Sequence, residues 1–143
     1  VGRSICVLGA LLLLATAALG CSSAPSQGPT ITVSCAEFET TPGGLVVKPV
    51  AVPGNTRFEV VLCSNASTGF SWEEPTWEGG AGIKLVERGV AEPVGGAPGE
   101  PGQERFVFDA TGVGSEAIHF VYSQPWEGGT KGAWRFDLDL SVG

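Results

Sequence analysis

At 143 residues the chain is long enough for one ordinary domain with a core of its own. Its formal net charge of −7, from 8 basic and 15 acidic residues, comes with no basic stripe, which argues against nucleic acid and against peripheral binding to anionic lipid. With 22 glycines, 10 prolines and no helix-period pattern after residue 20, the composition suits short strands joined by turns.

The N-terminus reads as a targeting segment. Arg3 supplies a short positive region, and Ile5 to Leu19 is an almost unbroken apolar run that ends at Gly20-Cys21. A membrane-spanning helix needs roughly 20 apolar residues, whereas this run stops sooner and has no basic cluster behind it. Residues 1–20 are therefore expected to be a secretory signal, outside the fold. Ala18-Leu19-Gly20-Cys21 resembles a bacterial lipobox, with Ala18 where leucine is usual. That resemblance implies a lipidated Cys21 and an exported protein, anchored to the outer face of the cell membrane or held in the periplasm. Each acyl methylene buried in a bilayer contributes about 0.8 kcal/mol, so two or more chains make a stable anchor. Ser22 to Pro29 then reads as a polar tether, placing the domain over residues 30–143.

Along that domain, Thr30 to Cys35 is the first strand candidate, with Ile31 and Val33 on one face. Leu45 to Val52 is apolar and β-branched, but Pro49 limits it to an edge or a broken strand. Pro53-Gly54-Asn55 is a turn signal, and Arg57 to Cys63 follows as a strand with Phe58, Val60 and Leu62 inward. A polar loop, Ser64 to Gly69, leads into a strand near Phe70 to Trp72. Trp77 and Gly79-Gly80 mark a further loop, and Ile83 to Val90 a further strand. Ala91 to Gln103 is rich in glycine and proline and reads as a long loop. Arg105 to Ala110, Glu116 to Tyr122 and Gly132 to Val142 complete the set, with Gln124-Pro125-Trp126 between the last two. Seven to eight short strands at this spacing predict an all-β, two-sheet sandwich.

Cys35 and Cys63 each close an alternating run and could face each other across neighbouring strands. In an oxidising compartment they are expected to form a disulfide, closing a loop of roughly 27 residues and stabilising by about 3 kcal/mol; two buried thiols, or a reactive one, are the alternatives. His119 is the single histidine, with no second ligand and no triad around it, and Asp137 and Asp139 alternate with Leu138 and Leu140 as a solvated strand face does. Neither a nucleophile–base pair nor a metal cluster is legible. The chain is expected to be no enzyme and to need no cofactor or metal. Trp72 and Trp134 are expected in the core.

Two loops carry the functional signal. Asn65-Ala66-Ser67-Thr68-Gly69-Phe70 and Gln124-Pro125-Trp126 resemble loop motifs of the chagasin-like inhibitors of papain-family cysteine proteases. That family carries Asn-Pro-Ser/Thr-Thr-Gly-Phe/Tyr, Gly-x-Gly-Gly and Arg-Pro-Trp/Phe. The first segment departs only in Ala66 for proline, the third only in Gln124 for arginine. For the glycine-rich motif, Gly96 to Gly99 and Gly99 to Gly102 are equally reasonable registers, so Gly96, Gly99 and Gly102 are all candidates. The resemblance implies an immunoglobulin-like sandwich whose three loops enter a protease cleft side by side, inhibiting reversibly and competitively without cleavage. Thr68 would lie over the catalytic cysteine, Trp126 would stack on one flank, and the glycine-rich loop would grip the other. It implies a monomer with a papain-like protease as partner. The loss of proline at Ala66 predicts a more flexible first loop, and Gln124 the loss of a charge. A binding or adhesion module of the same fold is the alternative.

Overall fold

The computed structural model describes residues 23–91 and 100–143. Two sheets face each other. One has the order β1 (Ser26–Val33), β3 (Thr56–Ser64), β7 (Gly102–Ala110) and β6 (Ile83–Ala91). The other has β2 (Leu45–Val52), β9 (Trp134–Val142), β8 (Gly114–Ser123) and β4 (Ser71–Trp72), with β5 (Thr76–Gly79) also on β8. The expected all-β sandwich is present, with nine strands among the described residues where seven to eight were counted. The additional strand is β5. Its Trp77, which the sequence leaves in a loop, packs edge-on against Phe108 with ring centroids 6.0 Å apart.

Alternation drives the packing. Phe58, Val60 and Leu62 from β3, Phe106 and Phe108 from β7, Ile118 and Phe120 from β8 and Phe136, Leu138 and Leu140 from β9 are all fully buried. Most of their neighbours in sequence turn to the outer face, as the period of two requires, though Val107 and Cys63 are buried as well. β2 is continuous despite Pro49, which it tolerates because it pairs with β9 alone and forms a sheet edge.

Two boundaries differ from expectation. β1 begins at Ser26, so Ser26 to Pro29 belong to the sandwich and not to a tether; the Ser26 N–H donates to Asn55 O at 2.9 Å. A bulge between Gln27 and Thr30 breaks the alternation there and hides the strand from a pattern reading. At its far end β1 stops at Val33, and Cys35 opens a short helix, α1 (Cys35–Thr40), where a strand end and no helix were expected. The cause is a capping box. Ser34 Oγ accepts the Glu37 N–H, and the Glu37 carboxylate accepts the Ser34 N–H at 2.7 Å, so two otherwise orphaned donors are satisfied. Lys48 holds the same carboxylate at 2.7 Å, and that hydrogen bond is the main reason the Glu37 pKa is lowered.

Cys35 and Cys63 are bonded, their Cα atoms 5.2 Å apart, within the ordinary disulfide range. The bridge ties the start of α1 to the end of β3 across a sequence separation of 28. Replacing both cysteines by serine should lower stability by about 3 kcal/mol, measurable as a shifted urea midpoint; an unchanged midpoint would remove the bridge from the account of the fold.

Candidate functional site

Strand direction gathers one set of connections at one pole. β1, β3, β6 and β8 end there, and β2, β7 and β9 start there. The pole therefore carries α1, the loop from Asn65 to Phe70, the end of β6, the start of β7 and the hairpin from Gln124 to Ala133. The opposite pole carries Pro53 to Asn55, Ala81-Gly82, Thr111 to Val113 and the C-terminus, where the Gly143 N–H donates to Val52 O.

The first loop is wound on itself. Ala66 to Thr68 form one turn of 3₁₀ helix, and Gly69 ends it in the left-handed region at φ 78°. Asn65 O accepts from the Thr68 N–H at 3.1 Å and from Thr68 Oγ1 at 2.6 Å, while Asn65 Oδ1 accepts from Ser67 Oγ at 2.6 Å. The three polar residues do bond within the loop, as their chemistry predicts. Tyr122 Oη accepts the Asn65 N–H at 2.8 Å, which roots the loop on β8. Ala66, Ser67 and Thr68 are exposed. Phe70 is half-buried and stacks on Tyr122 with centroids 5.4 Å apart, so it serves as the loop's footing and not its tip.

Ala66 stands at the first position of the 3₁₀ turn, after Asn65 at φ −118° and ψ 84°. Among the described residues its N–H has no acceptor. Proline fits both conditions, having no N–H to lose and a fixed φ suited to a first helical position. Ala66→Pro should stabilise the domain by about 0.4–1 kcal/mol through the unfolded chain and lower an inhibition constant. A raised constant would show that the loop needs the freedom alanine gives it.

The hairpin is equally braced. The Gln124 N–H donates to Thr130 O at 2.8 Å, and Gln124 Oε1 accepts the Thr130 N–H at 2.9 Å. Lys131 Nζ donates to the carbonyl oxygens of Gln124 and Trp126. Gln124 therefore closes the hairpin and does not stand as a neutral substitute at the exposed tip; Lys131, which the sequence reading passed over, fixes the turn from within. Pro125 and Trp126 are exposed, Trp126 by 49% despite its size.

The two loops meet. A Cβ built on Gly69 would lie 2.5 Å from Trp126 Cη2, so the indole edge rests on the one loop position without a side chain. Gly129 leaves similar room, a Cβ there lying 3.0 Å from Trp126 Nε1. The indole is thus held between its own hairpin and the first loop.

Beneath the first loop lies a buried polar node absent from the sequence reading. Glu104, 4% exposed, accepts from Ser64 Oγ and the Trp72 N–H at 3.2 Å each, and from Arg88 Nη2 at 2.9 Å. Arg88 also donates to Trp72 O and lies 5.1 Å from the centroid of the Phe106 ring. Trp72 Nε1 donates to Cys63 O at 2.9 Å. The node joins both sheets on either side of the loop.

Of the glycine-rich candidates, Gly102 is the first residue of β7 and pairs with Ser64. It lies in the sheet and not in a gripping loop, because its backbone continues the β3 ladder. Gly96 and Gly99 lie outside the described residues, as do residues 1–20 and Cys21.

Fold and pole together define a β-sandwich that presents a braced loop and an exposed tryptophan on one surface. The chain belongs to the chagasin family of peptidase inhibitors, I42, whose profile matches residues 51–140 and so takes in both loops. Among solved structures it is similar to EhICP2, a cysteine protease inhibitor from Entamoeba histolytica, at 18% identity and a TM-score of 0.60, over 83% of this chain and 99% of that one. It is also similar to PbICP-C, solved in complex with falcipain-2, at 15% identity and a TM-score of 0.61, over 81% of this chain and all of the other. Amebosin in solution gives 21% identity and a TM-score of 0.52, over 81% of this chain and 100% of that chain. At these identities the likenesses are of fold. No curated protein matches the sequence.

Proposed function

We propose that the domain inhibits papain-family cysteine proteases reversibly and competitively, by setting its loop pole into the active-site cleft. The observation that carries this reading is the contact of Trp126 with Gly69, which makes one braced surface of two loops inside the family-matched region. A surface held in its bound shape loses little entropy on docking, and a half-exposed tryptophan is the usual anchor of such a contact. Thr68 at the exposed tip would cover the catalytic cysteine, and Trp126 would pack beside it. The PbICP-C complex with falcipain-2 supports a protease of this class as partner.

We further propose that residues 1–20 are an export signal and that Cys21 carries lipid, which would hold the domain at the outer face of a membrane or in the periplasm. The support is the apolar run and the Gly20-Cys21 junction. Globomycin treatment of cells, with radiolabelled palmitate, tests it: label that survives Cys21→Ser would refute the anchor.

For the inhibitor reading, the domain from residue 22 on should be titrated against papain and a cathepsin, alongside Thr68→Arg and Trp126→Ala. The parent should inhibit at submicromolar concentration and both variants should be weaker. A parent inactive at micromolar concentration would overturn the reading and leave an adhesion module.

A further inference from the structure

Between α1 and the first loop lies a groove of about 320 Å³, lined by Glu39, Thr68, Phe70, Tyr122 and Trp134 together with Asn65 and Ala133. Its floor is unusually firm. Four rings stack in series from the loop to the helix: Phe70 on Tyr122 at 5.4 Å, Tyr122 on Trp134 at 5.0 Å, and Trp134 on Phe38 at 5.1 Å, with interplanar angles of 23°, 11° and 9°. Tyr122 and Trp134 each stack against two neighbouring rings. Phe38, the buried residue of α1, is placed by the capping box and the disulfide. The groove thus rests on stacked rings, and Thr68 of the first loop is part of its lining.

Its chemistry selects an occupant. The walls are apolar for most of their extent, and Glu39 is the one charged side chain among them. Glu39 is exposed and, among the described residues, makes no ion pair. An apolar trough ending in a free carboxylate fits a side chain with a long aliphatic stem and a cationic head. The domain's net negative charge favours the same sign of partner.

We infer that this groove is a fourth contact element, seating an arginine or lysine side chain from the rim of the target protease's cleft, with its stem along Phe70 and Trp134 and its head on Glu39. The inference rests on the inhibitor reading for the identity of the partner, but the groove's preference for a cation can be tested without a protease. Targets with a basic residue beside the cleft would then be preferred over targets with an acidic one.

Two measurements decide it. In the first, Nα-acetyl-L-arginine methylamide and its norleucine counterpart are titrated into the isotope-labelled domain while amide and indole signals are followed. The arginine compound should shift Thr68, Phe70, Ala133 and the Trp134 indole, and Glu39→Gln should abolish those shifts. Equal shifts from norleucine, or shifts unchanged by Glu39→Gln, or none at all, would overturn the cation preference. In the second, Glu39→Lys is compared with Glu78→Lys, which makes the same charge change on β5, against an inhibited protease with a basic cleft rim. Glu39→Lys should raise the inhibition constant at least about ten-fold and Glu78→Lys less than about two-fold. Equal effects would reduce Glu39 to a share in the overall field. If the parent inhibits nothing, the inhibitor reading falls, while the first measurement still decides the groove.

Discussion

Gly69→Ala is expected to raise the inhibition constant on the order of 100-fold while leaving the thermal midpoint within a few degrees. Two penalties combine at this residue. At φ 78° an alanine in the left-handed region is strained by about 1–2 kcal/mol, which the free loop relieves by relaxing and must repay on docking. Its Cβ would also stand 2.5 Å from Trp126 Cη2, so the indole must leave its seat. Displacing an anchoring tryptophan forfeits about 2 kcal/mol or more of binding. Both groups are at the surface and outside the core, so the fold should survive. A double-mutant cycle with Trp126→Ala separates the terms. In the Trp126→Ala background, Gly69→Ala should cost only the backbone share, about ten-fold. Full additivity would mean that the indole and the glycine act independently and that the shared surface is an accident of packing.

Arg88→Leu should be the most damaging single change to stability outside the apolar core, lowering it by about 2–4 kcal/mol. The loss follows from what stays behind. Glu104 is 4% exposed and would keep Ser64 Oγ and the Trp72 N–H but lose its cation. An uncompensated buried carboxylate is costly, about 3–5 kcal/mol when fully enclosed; Arg88 is itself 32% exposed, which moderates the figure. Replacing both partners, as Arg88→Leu with Glu104→Leu, should recover part of the loss because no charge then remains buried. Chemical denaturation of the three variants checks this. If the double variant is no better than the single one, the Trp72 carbonyl or the Phe106 contact of Arg88 matters more than its charge.

The strands and the two loops were legible because their signals are local. Phe58, Val60 and Leu62 alternate without interruption, and all three are fully buried. Asn65 to Phe70 carries its own turn chemistry, and Cys35 and Cys63, each closing an alternating run, stood out as candidates for the bond they form. The helix was legible too, since Ser34 and Glu37 stand at capping-box spacing, but the preceding alternation through Val33 outweighed it. β5 was missed because four residues flanked by glycine and proline show too little pattern to count. Glu104 and Arg88 could not have been paired: they lie on adjacent strands and meet a loop root between two sheets, which only the three-dimensional register brings together. The same holds for Trp126 over Gly69, 57 residues apart in a chain whose spacing says nothing of contact.

The bond from the Ser26 N–H to Asn55 O pins the start of β1 beside the Pro53 to Asn55 turn, at the pole opposite the loops. β3, which runs beside β1 from that point to Ser64, has nine residues and spans about 30 Å at the usual rise of a strand. Ser26 and the loops therefore lie at opposite ends of the sandwich, about a strand's length apart. The described loops of the pole thus stand at the far end of β3 from the point where the chain enters the sandwich, and a partner docking on them would come from the side away from Ser26.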